Sequence, residues 1–210
     1  MELSRVQAVL LDMDGTLVDS DAAVERSWRT WAAEYPVDPG RGPLLAPGLP
    51  ALANVRRLLP DLSEDEAAAA ARYQLELEYV DVADIAAAPG AHELLGELDR
   101  LSLPWAVVTS ADPPLARTRL AAAGIRPALL VTIDDVRAGK PDPEGYLLAA
   151  RKLGTDPRRC LVVEDAEAGV RAGQAAGAVV AALRGVDADI QIADLYELTS
   201  LLRQAENRRA

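Results

Sequence analysis

Hydrophobic residues fall along this chain in two rhythms. Near the start, Val6 and then Ala8 to Leu11 form a short unbroken apolar run, which reads as a strand buried on both faces of a parallel sheet. It stops abruptly at Asp12-Met13-Asp14-Gly15-Thr16. Asp19-Ser20-Asp21 then supplies N-cap residues for a helix whose apolar face is Val24, Trp28 and Trp31, spaced i, i+4 and i+7. From Tyr35 to Pro50 prolines and glycines crowd together (Pro36, Pro39, Gly40, Gly42, Pro43, Pro47, Gly48, Pro50), which predicts a loop. Ser63-Glu64-Asp65-Glu66 is a capping box that opens an alanine-rich helix running to about Val82. Nothing from residue 19 to residue 87 reads as a strand.

Past Pro89-Gly90 the pattern changes to alternating helix and strand. Helices are predicted over about Ala91 to Leu101, from Pro113-Pro114 to Gly124, from Asp142-Pro143 to about Leu153, from about Ala168 to Ala176, and from about Leu195 to Gln204, with Ala205 to Ala210 fraying. Strands are predicted at Trp105 to Thr109, Ala128 to Thr132, Cys160 to Glu164 and Ala178 to Leu183. Such alternation implies βαβ units with right-handed crossovers. The fold class is therefore α/β, a Rossmann-like parallel sheet interrupted after its first strand. The core is assigned to residues 1–17 and 88–210, and an inserted α-helical domain to residues 18–87.

Composition narrows the function classes. At 210 residues the chain is long enough to bury a sizeable core, and half of it is hydrophobic. No apolar run reaches the roughly 18 residues of a membrane span, and the start lacks the basic-then-apolar pattern of a secretory leader. The single cysteine, Cys160, allows no intramolecular disulfide, so a cytoplasmic protein is the expectation. A formal net charge of −11 without a basic stripe argues against a nucleic-acid partner. An anionic small molecule remains compatible, since a few aimed donors outweigh a screened distant field.

Chemistry-bearing residues collect where the predicted strands end. Asp12 and Asp14, two apart, project to one side of an extended chain, and side by side they need a shared proton or a cation. The second strand ends in Thr109-Ser110, a hydroxyl pair followed by the N–H groups of the helix that Pro113 begins, a setting suited to an anion or to an ordinary helix cap. Gly139-Lys140-Pro141 holds one of only two lysines among 22 basic residues; a lysine there suits a phosphoryl oxygen or a carboxylate, or else is a solvated loop residue. The fourth strand ends in Glu164-Asp165, with Gly169 and Gly173 following. Oxygen-only acidic ligands, without histidine or cysteine beside them, favour Mg²⁺ over zinc.

In chain order, Asp12-x-Asp14-Gly15-Thr16, Thr109-Ser110, Gly139-Lys140-Pro141 and Glu164-Asp165-x-x-x-Gly169-Val170 resemble the four motifs of the haloacid-dehalogenase-like (HAD) superfamily, over essentially the whole chain. The resemblance implies the HAD fold, with a helical cap inserted after the first motif. It implies Asp12 as the nucleophile that takes up a phosphoryl group as an aspartyl-phosphate, and Asp14 as general acid and base whose backbone carbonyl also binds Mg²⁺. Thr109 would bond the phosphoryl group, with Gly15, Thr16 and Ser110 alongside. Lys140 would neutralise charge on that group and on Asp12, and Asp165 would complete the Mg²⁺ site with Glu164 behind it.

Dehalogenases of the superfamily lack a carboxylate at the Asp14 position, so Asp14 favours phosphate esters. The relatives that isomerise sugar phosphates carry a histidine in the first cap helix where this chain has Val24, and the only histidine, His92, lies beyond the cap. No lysine lies in the cap for Schiff-base chemistry. The cap residues Asp19-Ser20-x-x-Ala23-Val24-Glu25-Arg26-x-Trp28-x-x-Trp31-Ala32 and the core stretch Pro104 to Ser110 are most similar to small sugar and glycerol-phosphate phosphatases. Those relatives usually carry His-Gly where this chain has Pro47-Gly48. Glu25 is a candidate contact for substrate hydroxyls, or a solvent-facing helix residue. A Mg²⁺-dependent phosphatase acting on a small phosphorylated metabolite, as a monomer or dimer without a membrane partner, is the expectation. Its rivals are a mutase of the β-phosphoglucomutase type and a phosphate-binding module without turnover.

Overall fold

In the computed structural model, which describes residues 3–38 and 46–208, the apolar run after Gln7 is the middle of a six-stranded parallel sheet. The strands are β1 (Ala8–Leu11), β2 (Val18–Asp19), β3 (Ala86–Ala87), β4 (Trp105–Val108), β5 (Leu130–Val131), β6 (Cys160–Glu164), β7 (Val179–Ala182) and β8 (Ile190–Gln191). The helices are α1 (Asp21–Glu34), α2 (Ala51–Leu58), α3 (Glu64–Val80), α4 (Ala91–Arg100), α5 (Pro113–Ala122), α6 (Glu144–Lys152), α7 (Glu167–Ala175) and α8 (Leu195–Asn207).

The sheet order is β5-β4-β1-β6-β7-β8. Val9 pairs with Trp105 on one side and with Leu161 on the other. The chain thus builds outward from β1 in one direction, returns, and builds outward in the other. That reversal leaves a crevice at the carboxyl end of β1, where ligands bind in open α/β sheets.

All four residues of β1 are buried, because alternate side chains serve two different layers. Val9 and Leu11 pack with Leu94, Leu98, Leu115 and Leu198, from α4, α5 and α8. Ala8 and Leu10 pack with Tyr146, Ala149, Val170 and Ala172, from α6 and α7. Each fully buried leucine or valine contributes about 1.5–3 kcal/mol from lost water contact. A strand flanked by two helical layers has no polar face, which is why period-2 alternation is missing from its sequence.

Helices α1–α3 carry an apolar cluster of their own, centred on Trp28, Trp31, Val55, Leu58 and Ala67. Trp31 is fully buried, its Nε1 donates to the Ala70 carbonyl at 2.9 Å, and its ring stacks on Tyr35 with centroids 4.5 Å apart. The capping box at Ser63 and Glu66 forms as read from the sequence.

Several local expectations are corrected. The stretch between residues 19 and 87 is not strand-free at its ends: Val18–Asp19 and Ala86–Ala87 form a two-stranded antiparallel ribbon. Two residues per strand are too few for any periodic signal, and so are those of β8, which pairs with β7. Helix α2 starts immediately after the loop prolines, with Pro50 as its N-cap. Helix α6 begins one residue after Pro143, and the Asp142 carboxylate accepts from the Glu144 N–H. Helix α8 continues through Asn207 instead of fraying at Ala205. Of the predicted 35–50 loop, Pro39, Gly40, Gly42 and Pro43 lie outside the described residues. Among the described residues no helix is long and apolar enough to cross a membrane.

Candidate active site

Four strand ends converge on Asp12. It follows β1 directly, its N–H donates to the Val163 carbonyl of β6 at 3.0 Å, and its side chain is almost fully buried. Lys140, also buried, reaches it from the segment between β5 and α6: Nζ bonds Asp12 Oδ1 and lies 2.6 Å from Glu164 Oε1. The Tyr146 hydroxyl donates to the same Glu164 oxygen. Glu164, at the last position of β6, has no solvent exposure at all. Its carboxylate occupies space that only a glycine on α7 leaves open, since a Cβ at Gly169 would fall 1.8 Å from Glu164 Oε1. Gly169→Ala is therefore expected to destabilise the protein by about 1–3 kcal/mol and to lower kcat/KM at least tenfold, because the displaced carboxylate carries Lys140 with it. Thermal unfolding together with steady-state kinetics checks both.

Carboxylate oxygens of Asp12, Glu164 and Asp165 lie within 4.8 Å of one another. Three buried carboxylates face one buried ammonium and, at Asp165 alone, the half-exposed Arg184 guanidinium, which leaves the cluster short of positive charge. Burial, then Glu164, push the Asp12 carboxyl well above the ordinary range despite Lys140. Burial and Glu164 likewise push Asp165 up to about 7, against the pull of Arg184 and Lys140. Burial alone would weaken proton binding at Lys140; Asp12 and Glu164 reverse this and hold it above the ordinary ammonium range. A divalent cation would supply the missing charge, and an all-oxygen donor set of this kind suits a hard ion.

Gly15 is shaped by the same cluster. Its φ is +81°, and a Cβ would lie 2.2 Å from Asp165 Oδ2. Thr16, fully buried, points its hydroxyl at Asp165 Oδ1, 3.4 Å away. Arg184 Nε is 3.3 Å from Asp165 Oδ2.

Next to this cluster opens a cavity of about 330 Å³, lined by Asp12, Asp14, Thr109, Ser110 and Asp165 from the sheet side and by residues of α1 and α3. Asp14 and Asp12 share this cavity but not one cluster. The Asp14 carboxylate is not among the three grouped acids; it accepts from Ser20 Oγ at 2.6 Å and pairs with Arg119 Nη1 at 2.9 Å. The repulsion expected between the two aspartates is thus met differently at each, by Lys140 at one and Arg119 at the other. This also explains why Ser20, the N-cap residue of α1, makes no side-chain capping bond: its hydroxyl is committed to Asp14.

The other sequence candidates divide. Thr109 is buried in the lining, and its hydroxyl accepts from the Ala111 N–H at 3.1 Å, which leaves its proton for a ligand oxygen. Ser110 lines the cavity, but its hydroxyl donates to the Gly48 carbonyl at 2.8 Å, across to the loop before α2. The N-terminus of α5 is not open to an anion, as its first turn is capped by Asp112, which accepts from the Leu115 N–H. Gly15 and Thr16 are not among the lining residues and sit against Asp165 instead. Glu25 lines the cavity while remaining 63% exposed and paired with Arg29.

Sequence reading missed Arg119, Glu78 and Gln74. All three are buried and line the cavity. Their signal was present in the helix stripes: Arg119 falls on the buried face with Leu115, Ala116 and Leu120. Gln74 and Glu78 continue the face of Ala67, Ala70 and Ala71. Ionisable residues on a buried stripe need partners.

An acid cluster with a buried lysine, at the reversal point of a parallel sheet and beside a cavity, defines a class of hydrolytic or group-transfer enzymes that handle anionic groups. Residues 6–177 match the model of the haloacid dehalogenase-like hydrolases, and the chain belongs to that family. It is 40% identical over 203 residues to hexitol phosphatase A of Escherichia coli K12, covering 96% of this chain and 93% of that one. It is 31% identical to 2-deoxyglucose-6-phosphate phosphatase 1 of Saccharomyces cerevisiae, covering 94% and 91%. Among solved structures it is similar to CbbY from Rhodobacter sphaeroides in complex with phosphate, at 28% identity and a TM-score of 0.77, covering 92% of this chain and 96% of that one.

Proposed function

We propose that this chain is a Mg²⁺-dependent, cytoplasmic phosphomonoesterase that hydrolyses a small sugar or polyol phosphate through an aspartyl-phosphate on Asp12. The observation that carries this reading is the Asp12 carboxylate, held by buried Lys140 at the edge of a cavity that Asp14 also lines. In the first half-reaction an Asp12 oxygen bonds to phosphorus while the bond to the ester oxygen breaks, and Asp14 gives that oxygen its proton. In the second, Asp14 takes a proton from water, the water oxygen bonds to phosphorus, and Asp12 is released with inorganic phosphate. Ser20 and Arg119 fix the orientation of the Asp14 carboxylate for both transfers. Thr109 offers its hydroxyl proton to a phosphoryl oxygen.

Asp12, Asp165 and Glu164 would hold the metal, with the Asp14 carbonyl, and the bound ion would neutralise charge on the equatorial oxygens. Residues 18–87 would act as a cap that closes over the cavity and excludes bulk water. Val24 lines the cavity at the position where the isomerising relatives carry a histidine, which supports hydrolysis over isomerisation. The names of the phosphatase relatives support the substrate class.

A panel of phosphorylated metabolites assayed with Mg²⁺ tests the reading directly. Release of free phosphate from sugar or polyol monophosphates is expected; an isomeric phosphate formed from a sugar 1-phosphate would favour the mutase. Stripping the protein with a chelator is expected to abolish turnover and to lower Tm by about 5 °C relative to protein saturated with Mg²⁺. An unchanged Tm on adding Mg²⁺, Mn²⁺ or Ca²⁺ would rule out a cation site in the acid cluster.

A further inference from the structure

The wall of the cavity built by α1 and α3 has a charge balance unlike that of the phosphate end, and this inference rests on the phosphatase reading above. Arg119 is only 3% exposed and is used twice. Nη1 pairs with Asp14 at 2.9 Å, and Nη2 pairs with Glu78 Oε2 at 2.8 Å. The other Glu78 oxygen accepts from Gln74 Nε2, which also lies 3.2 Å from Ser27 Oγ. The second guanidinium in the lining, Arg184, is likewise committed, to Asp21 at 2.9 Å and to Asp165 at 3.3 Å. Against these two cations the lining sets Asp12, Asp14, Asp21, Glu25, Glu78 and Asp165. Lys140 compensates charge only at Asp12 and Glu164. Carboxylates and the Gln74 amide therefore dominate the wall that faces a leaving group, and among the described residues both guanidinium groups of the lining are already ion-paired.

We propose that the Asp14–Arg119–Glu78 bridge is a charge filter: the pocket takes leaving groups that are uncharged and rich in hydroxyls, and rejects those bearing a second negative charge. A hydroxyl donates to a carboxylate and equally to the Gln74 amide oxygen, which has no hydrogen-bond partner among the described residues while Nε2 is committed to Glu78 and Ser27, so the hydroxyls of a polyol chain match this acceptor-rich wall. A carboxylate or second phosphate finds only like charge. It can reach the terminal nitrogens of Arg119 only in competition with Asp14 and Glu78, which already hold them in largely buried ion pairs, and such competition discriminates strongly. Glu78 is the deciding residue, because it takes up the half of Arg119 that Asp14 does not.

Two compounds isolate this effect, glucitol 6-phosphate and 6-phosphogluconate, which share six carbons and the phosphate position and differ in carrying a hydroxymethyl or a carboxylate at C1. Wild-type enzyme with Mg²⁺ is expected to favour the polyol in kcat/KM by at least about 100-fold, below the roughly 10⁴–10⁵-fold reached when a fully buried polar site is left unpaired. Glu78→Gln keeps the size and hydrogen-bonding reach of the side chain and frees one arm of Arg119. It is expected to narrow the ratio at least tenfold, chiefly by lowering KM for the sugar acid. A wild-type ratio near one overturns the filter without any variant, and so does a folded Glu78→Gln enzyme with an unchanged ratio. Failure to cleave either compound or p-nitrophenyl phosphate would bring down the phosphatase reading and the filter together. Equal cleavage of both compounds brings down the filter alone.

Discussion

Asp12→Asn is expected to reduce hydrolysis of p-nitrophenyl phosphate by at least about 10⁴-fold, the scale of losing a nucleophile from a concerted site, while leaving the protein folded. The amide has the shape of the carboxylate and still offers Lys140 an oxygen, so the contact from the 139–141 segment survives. It lacks the charge density to attack phosphorus, and no aspartyl-phosphate can form on it. Stability should hold or rise, because burial and Glu164 oppose the charged form of the wild-type carboxylate. Replacing it with a neutral isostere removes that opposition. Rates measured beside a thermal melt separate the two effects. Retained turnover in a folded variant would mean that Asp12 is not the nucleophile.

The second large effect is expected at Lys140. Lys140→Ala should cost about 3 kcal/mol or more in transition-state stabilisation, roughly a 100-fold loss in kcat, by the scale of removing one preorganised electrostatic contact. It should also destabilise the fold by about 3–5 kcal/mol, because Asp12 and Glu164 are left buried without their cation. Lys140→Met distinguishes packing from charge. It preserves an apolar stem near the Tyr146 ring, over which the ammonium lies 5.4 Å from the centroid, yet it should lose nearly as much activity. Urea denaturation and steady-state kinetics on both variants check the division, and a loss in kcat below tenfold would remove Lys140 from the reaction.

Local sequence was most informative where one strand or one cap decides the outcome. The run Ala8 to Leu11 reads as a doubly buried strand, because a strand with one polar face would have left an alternating pattern. Ser63 and Glu66 specified their helix start through two reciprocal bonds within four residues. The strand-end acids and Lys140 were legible as a group because each ends or follows an apolar run. By contrast, β2, β3 and β8 left no trace, being two residues long and defined only by a partner distant in the chain. Ser110 and Ser20 were visible as polar residues, but which neighbour each hydroxyl serves depends on how the 46–49 loop and Asp14 approach them.

By itself, then, the order of residues determined the alternating α/β architecture, the helical insertion after the first strand, and the set of side chains gathered at strand ends. These follow from periodicity and caps, which act over a turn or a few strand residues. Only the tertiary structure decided how charge is shared among them: Glu164 grouped with Asp12 and Asp165, and Asp14 turned instead to Arg119 and, through it, to Glu78 on a helix 64 residues further along the chain. Electrostatic partnership is set by distance in space and by the absence of water between groups, and neither is written in the spacing of residues along a chain.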